Sequence, residues 1–136
     1  MDECIFCKIV GGQIPSSKIY EDDHVISFLD IMPANKGHCL IVPKEHVSNL
    51  SEMDDEHLVS TFKAAKKVAS ALSLSFGNAS FNLVMNNGKE AGQLVNHAHI
   101  HVIPRFNKDR LRIKWSHLKY DDNEISEYAE KIKKFL

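Results

Sequence analysis

Apolar and polar residues alternate with a period of two through Asn96-His97-Ala98-His99-Ile100-His101-Val102-Ile103-Pro104. That is the strand period. It predicts a strand with His97, His99 and His101 on one face and Ala98, Ile100 and Val102 on the other. Four more strands are predicted upstream. Residues 18–21 and 25–29 form a hairpin about the Asp22-Asp23 turn. Residues 38–42 run apolar up to Pro43, as a central strand covered on both faces does. Residues 81–85 come last, before a polar loop, 86–93, that leads into the histidine strand. The period lengthens to that of a helix across 54–76, where Leu58, Phe62, Ala65, Ala69 and Leu72 recur at three- and four-residue steps. Asp54 is the predicted N-cap and Gly77 the stop. Lys63, Lys66 and Lys67 read as its solvated face. A final helix is predicted to start at Asp121 or Asp122 and run through Phe135. It carries Ile125, Tyr128, Ala129, Ile132 and Phe135 on one stripe, for the core or an interface.

Composition narrows the class without naming a chemistry. At 136 residues the chain is long enough for one domain with a real core. A formal net charge of −1 implies no general affinity for nucleic acid polymers or membrane surfaces. No apolar run is long enough to span a bilayer, and the Met1-Asp2-Glu3 start is too acidic for an export or transit segment. The expected location is cytoplasmic. Three cysteines are an odd count, which argues against a disulfide framework. There is no internal repeat.

The candidate chemistry lies in the histidines and cysteines. In an extended strand adjacent alternate positions are roughly 6.6 Å apart and the outer pair roughly 13 Å. Three such imidazoles can hardly close on one metal, because zinc–nitrogen bonds are only about 2 Å. Three separate jobs are therefore expected. Cys4-Ile5-Phe6-Cys7 is a CxxC with no preceding strand, so half a zinc site is favoured over a redox pair. His46 and His97, each flanking a predicted central strand, are candidates to complete a Cys2His2 set, although the spacing alone is permissive. Cys39, inside a strand, reads as a small buried hydrophobe. Neutral imidazole is a competent nucleophile at pH 7, and histidine as covalent catalyst points to a phosphorus electrophile. His99 is the candidate nucleophile. His101, His38 and Gln93 are the candidate donors for charge on the phosphate oxygens. No Asp/Glu cluster suited to catalytic magnesium stands near them. Trp115 is expected to pack rather than stack on a base.

His97-Ala98-His99-Ile100-His101-Val102-Ile103, a His-φ-His-φ-His-φ-φ pattern, resembles the signature of the histidine triad superfamily of nucleotide hydrolases and transferases. The likeness extends through Ile5-Phe6-Cys7-Lys8-Ile9, Ile14-Pro15-Ser16, Glu21-Asp22-Asp23, Phe28-Leu29-Asp30-Ile31, Gly37-His38, Ile41-Val42-Pro43-Lys44-Glu45-His46 and Gly92-Gln93. It is specific from residue 4 to Arg105, with a less diagnostic extension over 106–136. The extension looks more like the bacterial-type zinc-containing members than the short-tailed phosphoramidase branch. The resemblance implies an α+β fold: a five-stranded antiparallel sheet with one long helix and a C-terminal helix, the sheets joined across a homodimer. It implies attack by His99 on the α-phosphorus of a dinucleoside polyphosphate or nucleoside phosphoramidate. A nucleotidyl-histidine would follow, hydrolysed to the nucleoside monophosphate. His101 would hydrogen-bond the phosphate, with His38 and Gln93 orienting it. Asn86 would contact the phosphate or leaving group, and Asp30 and Ile31 the ribose and a purine base, adenine by family expectation. Cys4, Cys7, His46 and His97 would hold structural zinc.

Two positions depart from the family pattern. Leu94 stands where Ser or Thr is common, removing a hydroxyl donor, and Asn96 where a bulkier residue is usual. Two other readings compete with the hydrolase: a non-catalytic nucleotide-binding module acting through protein partners, and a zinc hydrolase using metal-bound water.

Overall fold

The computed structural model describes residues 3–78 and 80–136. Met1 and Asp2, which carry part of the acidic start noted above, lie outside the described residues. Five strands form one sheet: β1 (Lys18–Glu21), β2 (Val25–Leu29), β3 (Cys39–Pro43), β4 (Phe81–Val84) and β5 (Ile100–Pro104). Every neighbouring pair is antiparallel, in the order β1-β2-β3-β5-β4. Three helices accompany it: α1 (Ile5–Val10), α2 (Asp55–Phe76) and α3 (Glu124–Lys133). This is the α+β architecture expected.

Alternation along the strands builds two cores. Val25, Cys39, Ile41, Ile100 and Val102 face α2 and pack with Ala64, Ala65, Val68 and Ala69. Ile26, Phe28, Leu40 and Val42 face the other way and pack around Phe6 of α1. The central β3 is buried at all five residues, as its apolar run predicted. The Cys39 thiol is fully buried, and burial pushes its pKa up to about 11, in keeping with an inert core position. Small residues on α2 let the helix approach the sheet closely. Asp54 caps it by accepting the His57 N–H, and Gly77 ends it in the left-handed conformation.

Several expectations need correction. The buried stripe of α2 is Thr61, Ala64, Ala65, Val68 and Ala69, with Leu72 partly buried. Ala65, Ala69 and Leu72 lie on this face as expected, but Phe62 is exposed, because the buried face turns toward Thr61, Ala64 and Val68 instead. The histidine strand is shorter than its alternation: β5 begins at Ile100, and the chain through His97 is tied by the Ala98 N–H to the Val47 carbonyl at 2.7 Å. The faces still alternate as expected: Ile100 and Val102 pack toward α2, while His99 meets Phe6 of α1 on the other face. The CxxC lies on a helix, α1, that its short apolar stretch did not announce. The last helix starts at Glu124 with Asn123 in the cap position and no side-chain cap, so neither Asp121 nor Asp122 serves as the N-cap. None of its residues is buried, so its stripe is not core. Trp115 is 74% exposed and does not pack as expected.

The Asp30-to-His38 loop crosses the end of the sheet tightly. Gly37 has φ +97°, and a Cβ there would lie 2.7 Å from Phe76 Cε2. Replacing Gly37 with Ala combines positive-φ strain with an overlap, and we expect a loss of about 2 kcal/mol of unfolding free energy. Urea denaturation measures it. A loss below about 0.5 kcal/mol would mean that Phe76 swings clear without penalty.

Candidate active site and metal centre

Two side-chain clusters share the sheet face that carries α1. In the first, Cys4 at the N-cap of α1 and Cys7 three residues on share one helix face. Cys4 Sγ lies 3.4 Å from His97 Nδ1, and Cys7 Sγ lies 3.3 Å from His46 Nδ1 and 3.6 Å from His97 Nδ1. One ligand atom from each of these four residues falls within 4.8 Å of every other. A tetrahedral ion with zinc–sulfur bonds near 2.3 Å and zinc–nitrogen bonds near 2.0 Å needs S···N edges of about 3.5 Å. The set therefore fits such an ion. His97 is fully buried, and its Nε2–H donates to the Pro43 carbonyl at 2.8 Å. That bond leaves the Nδ1 lone pair facing the sulfurs, the tautomer a metal ligand needs.

The second cluster holds His99, His101 and His38. His99 Nδ1–H donates to the His97 carbonyl at 2.7 Å, leaving the Nε2 lone pair free. His38 Nδ1 accepts the Ala34 backbone N–H at 3.0 Å, so its proton sits on Nε2. From there it donates to His101 Nδ1 at 2.9 Å, which places the His101 proton on Nε2. These tautomers are assigned from backbone partners that have only one possible role. The row thus presents one lone pair, on His99, beside one N–H donor, on His101. The ring centroids of the two are 5.0 Å apart, and Phe6 meets His99 edge-on at 5.0 Å. Asp30, His38 and His101 also approach one another closely. His38 Nε2 is protonated by this logic and donates to His101, while Asp30 Oδ2 stands beyond hydrogen-bond distance at 3.7 Å.

A cleft opens over these rings. Its apolar walls include Ile5, Phe6 and Ile9 of α1, Phe28 and Leu29 of β2, and Val95. Asp30, Ile31, Asn86, Leu94, His99 and His101 line it as well. Asp30 Oδ1 accepts the Met32 N–H at 2.9 Å, and its Oδ2 lies 3.7 Å from His38 Nε2. Ile31 and Leu94 stand almost fully exposed at the mouth. Two candidates do not line the cleft: His38, which reaches it through its bond to His101, and Gln93. Gln93 Nε2 donates to the Ser48 and Val95 carbonyls at 2.6 and 3.0 Å, and its Oε1 accepts the Gly88 N–H at 2.8 Å. Its side chain shapes the 86–93 loop from behind, so any effect on a ligand passes through the loop. Sequence reasoning missed α1 as the wall of the cleft. The signal was present in Ile5, Phe6 and Ile9, apolar at helical spacing across the CxxC.

Burial holds the rings neutral. It lowers the pKa values of His38 and His99, with the Asp30 carboxylate opposing. His101 is pushed down to about 4, first by burial and then by its His99 and His38 neighbours. A neutral His99 has its lone pair available at neutral pH.

An imidazole-lined cleft with one free ring nitrogen, beside a Cys2His2 cluster on an open antiparallel sheet, defines the class of site. Residues 11–108 match the family model described as the HIT domain, and the chain belongs to the HIT family. Cys4 and Cys7 precede the matched segment. The chain is 46% identical over 130 residues to an uncharacterised HIT-like protein of Methanocaldococcus jannaschii, covering 96% of this chain and 98% of that one. It is 40% identical over 130 residues to the adenosine 5'-monophosphoramidase of Schizosaccharomyces pombe, covering 95% of each. Among solved structures, a HIT family protein of Bacillus subtilis superposes with a TM-score of 0.92 at 42% identity, covering 98% of this chain and 97% of that one.

The depressed His101 pKa makes stability depend on pH. An unfolded histidine titrates near 6.5, so between about 6.5 and 4 the unfolded chain binds a proton that folded His101 refuses. Stability is full above that window, declines as pH falls through it and levels off below. The decline from this residue is about 3 kcal/mol. His38 adds to it with the same sign. Urea midpoints at pH 7, 5.5 and 4.5 test this, and a midpoint independent of pH would contradict a buried neutral His101.

Proposed function

We propose that the chain is a nucleotide hydrolase or nucleotidyl transferase working at an α-phosphorus through a covalent intermediate on His99. The observation that carries the reading is the assigned tautomer: the His97 carbonyl takes the Nδ1 proton of His99 and leaves Nε2 unprotonated over the cleft. The relative named as an adenosine 5'-monophosphoramidase supports nucleoside phosphoramidates as substrates and adenine as base. Dinucleoside polyphosphates offer the same phosphorus.

In this mechanism the nucleoside lies against the apolar wall of the cleft. Asp30 accepts hydrogen bonds from the ribose hydroxyls, and Ile31 lies against the base. The phosphate sits between the His101 Nε2–H and Asn86. His99 Nε2 attacks the α-phosphorus, forming a P–N bond as the bond to the leaving group breaks. An amine leaving group takes a proton from solvent as its bond to phosphorus breaks, and the water that attacks in the second step returns one. Water then attacks the same phosphorus in line, breaks the P–Nε2 bond and releases the nucleoside monophosphate. The His38–His101 hydrogen bond holds the donor toward the phosphate throughout, where charge develops on its oxygens. Leu94 offers no hydroxyl, so the leaving group meets a less polar rim than Ser or Thr would supply.

Cys4, Cys7, His46 and His97 would hold a structural zinc ion. The ion would tie α1 to the connection after β3 and to the start of the triad, and would supply no step of the reaction. The exposed β4 edge carries Phe81 and Leu83, beside exposed Phe62 of α2. This apolar patch supports a homodimer with β4 edges paired.

Intact-protein mass spectrometry with an adenosine phosphoramidate tests the nucleophile. Wild type should show a transient gain of one adenylyl group, and His99→Ala should show none. No adduct and no nucleoside monophosphate, with tight monophosphate binding retained, would leave the binding-module reading. Metal analysis should find one zinc per chain. Chelation should lower the melting temperature while the residual folded protein keeps its turnover. Loss of turnover with the fold intact would point to metal-bound water instead. Leu83→Lys should shift the protein from dimer to monomer in sedimentation.

A further inference from the structure

A polar cluster stands behind the Asp30-to-His38 loop, outside the cleft. At its centre is Asn35. Its Nδ2 donates to the carbonyl of Pro104, the last residue of β5, at 2.9 Å, and to Asp109 Oδ2 at 3.0 Å. Only the amino group of an Asn side chain can face two acceptors, so its orientation is settled. Asp109 is itself held firmly. Arg105 reaches its two oxygens through Nε and Nη2 at 2.9 Å each, and the Phe106 N–H donates to Oδ2 at 2.9 Å. Arg105 Nη1 also donates to Asn82 Oδ1 on β4 at 2.8 Å. The Asp109 side chain is only 8% exposed, and the Arg105 guanidinium keeps its carboxyl well below the usual carboxylate range. It is a charged acceptor in a fixed place.

The other side of Asn35 faces the site. Its carbonyl accepts the His38 N–H at 3.0 Å, and the neighbouring Ala34 N–H binds His38 Nδ1. The loop is thus hydrogen-bonded to β5 in two places: directly through His38 to His101, and behind through Asn35.

We propose that Asn35, anchored by Asp109, is a positioning residue that clamps the Asp30-to-His38 loop onto the triad strand and so keeps His38 and Asp30 in register for the nucleotide. The proposal rests on the nucleotide reading of the cleft. Without the clamp the loop is held at its ends, by β2 and β3, and samples arrangements in which Asp30 no longer meets a ligand together with the His101 donor that His38 orients. Apparent affinity falls by the fraction of competent loop, while a bound nucleotide restores the arrangement for the chemical step. The signature is a rise in KM with kcat preserved.

The test compares wild type with Asn35→Ala, Asn35→Asp and Asn35→Ser. Three readouts apply: KM and kcat on adenosine phosphoramidate, AMP affinity by calorimetry, and amide hydrogen exchange at Ala34 and His38. Asn35→Ala should raise KM about tenfold, the size of one hydrogen bond to a charged group, with kcat within about twofold. Exchange at the two amides should quicken correspondingly. Asn35→Asp has the same shape but faces two acceptors with a carboxylate, so its effect should equal or exceed that of Ala. Asn35→Ser, which keeps a hydroxyl donor, should recover part of the loss. Wild-type behaviour of Asn35→Asp would overturn the proposal, since a space-filling role tolerates that change. A fall in kcat with KM and both amides unchanged would overturn it equally. If wild type neither turns over the phosphoramidate nor binds AMP, the nucleotide reading fails. Amide exchange then still decides whether Asn35 clamps the loop.

Discussion

A buried imidazole stays neutral at little penalty only when its N–H meets an acceptor, and the rest of this site follows from that requirement. His97 gives its proton to the Pro43 carbonyl, His99 to the His97 carbonyl, and His38 to His101. Each bond decides which nitrogen keeps a lone pair. His97 is left with Nδ1 toward two sulfurs, His99 with Nε2 toward the cleft. His101, the only ring whose acceptor nitrogen is filled by another histidine, is left as a donor. Three residues of one type in one alternating run thereby acquire three roles. The difference lies in what surrounds them, a backbone carbonyl for His97 and for His99 and the His38 ring for His101.

Those surroundings come from several parts of the chain. β3 supplies Pro43 and the neighbour strand, the loop before it supplies the Ala34 N–H, and α1 lays Phe6 against His99. The sheet order places β5 between β3 and β4, so the triad strand is paired on both sides, with the fully buried β3 on one. The loops that would meet a ligand enter from both flanks, 30–38 on one and 86–93 on the other. Gln93 organises the second from behind, much as Asn35 does the first. In both, a side chain amide is committed to loop structure so that nearby groups face the cleft.

Much of the fold was legible because it rests on local periodicity. Five strands, the long helix with its Asp54 cap and Gly77 stop, and the two-faced histidine run all follow from spacing and turn chemistry. The failures share a cause. The stripe predicted from spacing runs through Phe62, whereas the sheet accepts Thr61, Ala64 and Val68 at close approach and leaves the large ring outside. Helix α3 is amphipathic, yet no residue of it is buried in this chain. Periodicity says that a face exists, not what covers it. Helix α1 was missed because its apolar residues, Ile5, Phe6 and Ile9, span little more than one helical turn, a faint signal beside the CxxC.

The types and spacing of residues settled which groups could act: histidines on one strand face, a pair of cysteines three apart, an acidic residue before a turn. Local covalent geometry imposes those facts, so they hold in any fold that keeps the strand extended. Tertiary structure alone decided what each group does. It brought Cys7 to His46 and His97, turned Gln93 away from the cleft and tied Asn35 to Asp109 across the chain. It also selected the tautomers of His97 and His101, because each depends on a partner within 3 Å, the Pro43 carbonyl or the His38 ring, that is distant in sequence.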